Sequence, residues 1–101
     1  RRVDLPVGIG YTSNIQLAYE VIMELIEKEE RTLSDPAPQV AVSELADSSV
    51  NLVVRCWVNK DDYWGVKFDL TRSIKEAFDE KGVEIPFPQR VVHMASAGAG
   101  S

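Results

Sequence analysis

The chain has 101 residues, with 16 acidic against 11 basic side chains and a formal net charge of −5. That length suits one domain, folding away roughly 65% of its extended surface, enough for a core without metal or disulfide staples. Hydrophobic residues at 45% and charged ones at 27% argue against disorder, and the acidic balance with no Lys/Arg cluster argues against nucleic acid as a partner.

Val3, Leu5, Val7, Ile9 and Tyr11 alternate with Asp4, Pro6, Gly8 and Gly10, the period of a strand with one buried face. Pro6 has no N–H to give and suits an edge strand, and Gly8 and Gly10 leave room for another backbone. Ser13 with Gln16 reads as a capping box opening a helix to about Lys28. Ile15, Ala18, Tyr19, Val21, Ile22, Leu25 and Ile26 fall on its core side. Glu20, Glu24 and Glu27 form the opposite, solvated stripe, with Glu24–Lys28 as a pair. Glu29 to Pro38 is a connection, marked by its two prolines.

Val40 and Val42 begin a second strand ending near Ala46, and Asp47-Ser48 turns the chain into a third from Ser49 to Val58. Val50, Leu52, Val54, Cys56 and Val58 share one face of it, with Asn51, Val53, Arg55 and Trp57 on the other. Asp61 or Asp62 is positioned to cap a second helix that stops at Gly82. Tyr63, Val66, Leu70, Ile74, Ala77 and Phe78 form its apolar arc, and Trp64 and Phe68 fall on its flank, off that arc. Val83, Ile85 and Phe87 then alternate as a fourth strand, and Val91 to Met94 form a further extended run before an Ala/Gly/Ser tail.

Strand, helix, strand, strand, helix, strand predicts a ferredoxin-like βαββαβ sandwich: an α+β fold with an antiparallel sheet, two helices on one face and an added C-terminal strand. We expect residues 1–89 to form this α/β domain, with the extended run beyond it and 95–101 as a flexible tail.

The residue pattern holds no catalytic constellation, and we expect no enzyme, metal or cofactor. His93 is the single histidine and reads as structural or exposed. Cys56 has no partner for an internal disulfide, which favours a reducing compartment, and its place among aliphatic residues makes it a small hydrophobe. Gly8-Ile9-Gly10 departs from the dinucleotide-loop pattern at Ser13. Asp61 and Asp62 read as caps, and Glu27, Glu29 and Glu30 as a solvated run. Trp57 on the open sheet face, Trp64 and Phe68 on the helix flank, and the strand Val91, Val92, His93 and Met94 lack intrachain partners in this topology. They are therefore candidate subunit-contact residues. No apolar stretch reaches the ~20 residues of a membrane helix. The chain opens Arg1-Arg2-Val3, and we expect it to be a piece of a longer protein.

Pro36-Ala37-Pro38-Gln39-Val40, Ser43-Glu44-Leu45, Ser48-Ser49-Val50-Asn51-Leu52-Val53-Val54-Arg55, Trp57-Val58, Phe68-Asp69-Leu70, Ile74-Lys75-Glu76-Ala77-Phe78-Asp79 and Ile85-Pro86-Phe87-Pro88-Gln89 occur in that order. Together with Gly8-Ile9-Gly10-Tyr11 they closely resemble the C-terminal cytoplasmic α/β domain of small-conductance mechanosensitive channels, the MscS family. The likeness runs from Arg1 to His93. It implies a homoheptameric channel of the cell inner membrane, anchored through segments outside this chain, with the domain on the cytoplasmic side. There it would form part of a hollow vestibule with side portals that filters solutes released on hypo-osmotic shock. The resemblance places the parallel barrel strand at residues 90–94, and Asp4 is the candidate portal position. The rival expectation is a soluble ferredoxin-like module sensing a ligand between subunits. An acylphosphatase-type enzyme is disfavoured because Arg55 and Asn51 lie inside a strand, not in a phosphate-cradling loop.

Overall fold

Alternating side chains set the sheet. In the computed structural model, which describes residues 1–86, β1 (Arg2–Ile9), β2 (Gln39–Leu45) and β3 (Val50–Trp57) pair antiparallel in the order β1-β3-β2. The register runs from Arg2 opposite Trp57 to Ile9 opposite Val50, and from Gln39 opposite Arg55 to Leu45 opposite Val50. Strand β3 sits in the centre, so its alternation is the cleanest: Val50, Leu52, Val54 and Cys56 are buried, and the residues between them are half-buried. A tight turn closed by the Ala46 N–H to Ser49 C=O bond of 2.9 Å joins β2 to β3, and a bulge between Val42 and Glu44 bends the outer strand.

Two helices, α1 (Ile15–Lys28) and α2 (Tyr63–Lys81), cover the apolar sheet face. Helix α1 packs on β2 and on α2, and α2 packs on β1. Ala18, Val21, Ile22 and Ile26 of α1 meet Val66, Leu70, Ile74 and Phe78 of α2 over Val3, Leu5, Ile9, Leu52, Val54 and Cys56. No polar or charged side chain is buried among the described residues. Helix α2 ends as predicted, with Gly82 at φ 79° and its N–H on the Phe78 carbonyl. A side chain there would sit against its own backbone, which glycine avoids.

The ends of the elements depart from the sequence reading. Asn14, not Ser13, caps α1, accepting the Leu17 N–H at 3.0 Å. The Ser13 hydroxyl instead accepts the Glu84 N–H at 3.1 Å. A short 3-10 turn, Lys60–Asp62, precedes α2, and Asp62 holds the cap position without a side-chain hydrogen bond.

The predicted fourth strand is reduced to one bond among the described residues. The Gly10 N–H donates to the Glu84 carbonyl at 2.9 Å, and no ladder follows along Val83 to Pro86. The reason is local: Ser13 takes both the Gly10 carbonyl, through its N–H, and the Glu84 N–H, through its hydroxyl, while Pro86 has no donor. The described sheet is three-stranded, an antiparallel α+β sandwich with both helices on one face. Phe87, the barrel strand at 90–94 with Val91, Val92, His93 and Met94, and the tail at 95–101 lie outside the described residues.

Candidate functional site

Acid–base and nucleophilic groups are held in structural roles. Cys56 is fully buried in the centre of β3. Burial, helped by the negative charges of Glu29 and Asp4, pushes its thiol up to about 11. It stays protonated at neutral pH and packs as a hydrophobe. The described residues hold no cluster of His, Cys, Asp or Glu suited to a metal ion.

Glu29, read from sequence as part of a solvated run, is instead the anchor of the connection after α1. Its carboxylate takes the Arg31 guanidinium at 2.8 and 2.9 Å, and the Arg31 N–H at 3.0 Å. Arg31 also reaches Asp69 of α2 at 2.7 Å. These bonds hold the Glu29 carboxyl below its ordinary range against the opposing effect of burial, and they raise the Arg31 guanidinium. Thr32 bridges to Val58, and the Leu33 N–H donates to Trp57 O at 2.8 Å, so the connection is strapped to the sheet end.

The sheet face away from the helices carries Asp4, Arg55 and Trp57. Asp4 is bracketed by Arg2 at 2.9 Å and by Arg55 at 3.8 Å. Arg55 Nε is buried with no hydrogen-bond partner among the described residues. Trp57 is half-buried opposite Arg2. A shallow cavity of about 430 Å³ runs over Pro6, Gly8, Asn51, Val53 and Arg55.

Two apolar patches dominate the remaining surface. On α2, Trp64 is 57% and Phe68 63% exposed, with ring centroids 5.6 Å apart. Lys67 lies 5.3 Å from the Trp64 ring, and the Arg1 guanidinium stacks 4.1 Å from Tyr63. Below this pair, a groove of about 360 Å³ follows the outer edge of β1, lined by Leu5, Val7, Lys67, Thr71, Ile74 and Ile85. The chain begins to enter that edge at Glu84.

The second patch includes Ile15 and Tyr19, which the helical spacing of α1 predicts on its core side. Ile15 is 43%, Tyr19 39% and Val42 47% exposed. They surround a dent of about 120 Å³ with Val40 and Leu52, and Tyr11 and Leu45 add exposed apolar surface at the same end. The signal was available: the apolar arc of α1 is wider than one short edge strand can cover, and β2 is buried nowhere along its length. The structure therefore leaves Trp64 and Phe68 solvent-facing on one helix. Trp57 is placed on the other side of the sheet, and Asp4 in an arginine bracket on that same side. These candidates are not gathered into one pocket.

An antiparallel three-stranded sheet backed by two helices on one face defines an α+β domain of the ferredoxin-like type. The family model described as "Mechanosensitive ion channel MscS, C-terminal" matches residues 3–85. The chain belongs to the MscS family and corresponds to its C-terminal domain. It is 44% identical over 94 residues to an uncharacterized MscS family protein of Synechocystis, covering 93% of this chain and 32% of that protein. It is 39% identical over 97 residues to a small-conductance mechanosensitive channel of Edwardsiella ictaluri, covering 96% of this chain and 34% of that protein. The crystal structure of Helicobacter pylori MscS in a closed state superposes with a TM-score of 0.82 at 30% identity, over 88% of this chain and 36% of that one. The chain thus spans about a third of the length of the relatives it matches. No helix among the described residues is long and apolar enough to cross a membrane.

Proposed function

We propose that this chain is the cytoplasmic C-terminal domain of a mechanosensitive ion channel. Copies of it would form the wall of a homoheptameric vestibule that filters solutes leaving during hypo-osmotic shock. The full-length protein would reside in the inner membrane, anchored by segments that precede this domain. The observation that carries the reading is the match of nearly the whole domain, in sequence and in fold, to MscS channels.

Large exposed aromatics support assembly, because a lone domain gains nothing from leaving Trp64 and Phe68 in water, while subunit contacts are enriched in such residues. Residues 90–94, with Val91, Val92, His93 and Met94, would close the ring as a barrel of one strand per subunit, which removes every strand edge. Trp57 would meet a neighbouring subunit or domain across the open sheet face. Asp4, on that face and bracketed by Arg2 and Arg55, is the candidate portal residue. Its field on passing ions depends on that bracket and fades over a Debye length of about 8 Å.

The test is electrical. The full-length protein, reconstituted in liposomes and stretched in a patch pipette, should open a conductance under tension. Asp4→Lys should then shift the ratio of cation to anion permeation. A protein that inserts yet stays silent up to membrane rupture defeats the channel reading, and unchanged permeation ratios remove the role of Asp4.

A further inference from the structure

The two apolar patches lie at opposite ends of the domain. The sheet order β1-β3-β2 sets β1 and β2 at opposite edges, with α2 over the first and α1 over the second. Trp64 and Phe68 are one helical turn apart and project from the α2 flank that continues into Lys67 and Thr71, the wall of the groove along β1. Ile15, Tyr19 and Val42 sit at the other end, around a dent floored by Leu52.

The patches also differ in shape and charge. One is a pair of protruding rings and the other a hollow of about 120 Å³. Lys67 lies against the aromatic rings and is paired with no carboxylate among the described residues. Glu20, next to Tyr19, takes a hydrogen bond from Gln16 at 3.1 Å and is paired with no cation among them. Two protruding patches do not fill one another, and two hollows do not either. A knob with a spare cation and a hollow with a spare carboxylate on opposite edges of one domain suit a head-to-tail contact, which generates a ring when the rotation closes.

We infer that the Trp64–Phe68 knob of one copy seats in the Ile15–Tyr19–Val42 hollow of the next, with Lys67 of the first copy facing Glu20 of the second. The contact rests on the homo-oligomeric reading above and deepens it by naming the two faces that meet. The faces are different, so every copy in the ring uses both, and none is left with an uncovered patch.

Cysteine cross-linking in the full-length, membrane-inserted protein tests it. Phe68→Cys and Tyr19→Cys are introduced singly and together, leaving Cys56 buried and out of reach of the oxidant. Mild oxidation of the double variant should give a ladder of linked chains on a denaturing gel, with both single variants unlinked. Lys67→Glu in the double-cysteine background should cut the yield several-fold, and adding Glu20→Lys should restore it. A linked dimer from Phe68→Cys alone means like meets like and overturns the inference. Absence of any ladder while the particle keeps an oligomer's mass also overturns it, and leaves the channel reading standing. A single-chain mass in detergent defeats both.

Discussion

Leu70 and Phe68 are two residues apart on α2, yet they face opposite environments. Leu70 is 2% exposed in the centre of the core, whereas Phe68 is 63% exposed. Truncating Leu70 to Ala removes three buried carbons, about 2.4 kcal/mol at about 0.8 kcal/mol each. The cavity left among close-packed neighbours brings the expected loss to about 2–5 kcal/mol. Phe68→Ala forfeits the contact with Trp64, about 0.5–1 kcal/mol, and recovers about 0.5 kcal/mol of helix propensity. Its net effect on the isolated chain should stay within about 1 kcal/mol. Urea unfolding followed by far-UV circular dichroism reads both. At about 1 kcal/mol per M of urea, the Leu70→Ala midpoint should fall by about 2 M or more, and that of Phe68→Ala by less than 1 M. In the full-length protein the order should invert for assembly, with Phe68→Ala loosening the oligomer at low protein concentration. A Phe68→Ala chain destabilised as much as Leu70→Ala would refute the division into core and contact faces.

Glu29 has a carboxyl held below its ordinary 4.5 by Arg31. Its stabilising effect is therefore complete above that pH and is lost as pH falls toward the lowered folded value. Glu29→Gln should flatten the acid limb of the melting temperature below about pH 4.5 and leave a lower plateau at neutral pH; an unchanged acid limb removes the anchor role. Cys56, raised to about 11 by burial, should resist a thiol reagent at neutral pH and react fully once the chain is unfolded. Rapid labelling of the native protein contradicts its placement. Gly82→Ala puts a side chain at φ 79° and should cost about 1–2 kcal/mol, read as a lower urea midpoint.

Most of the fold is legible in the sequence where burial is one-sided. Strand β3 alternates without error, and the arc Val66, Leu70, Ile74 and Phe78 identifies the buried side of α2, leaving Trp64 and Phe68 outside as expected. Local pattern does not decide the outcome where neighbours compete for the same groups. Ser13 and Asn14 are equally good caps on paper, and the choice falls to Asn14 because Glu84, distant in sequence, claims the Ser13 hydroxyl. That same contact limits the fourth strand to one described bond. Ile15 and Tyr19 have the helical spacing of core residues, but they lie at the sheet's outer edge beside β2, whose own residues are mostly exposed. The hollow they form depends on three elements at once, which no local pattern reports. Glu29 has the composition of a solvated run, and only the return of Arg31 onto α2 shows that it is an anchor.

The central claim is that this domain works as one wall of a ring, and the mass of the intact particle tests it most directly. Native mass spectrometry of the full-length protein in detergent should give seven subunits, and removal of residues after Gln89 should shift the population toward smaller species. A particle that weighs one subunit at every concentration tested would contradict the account.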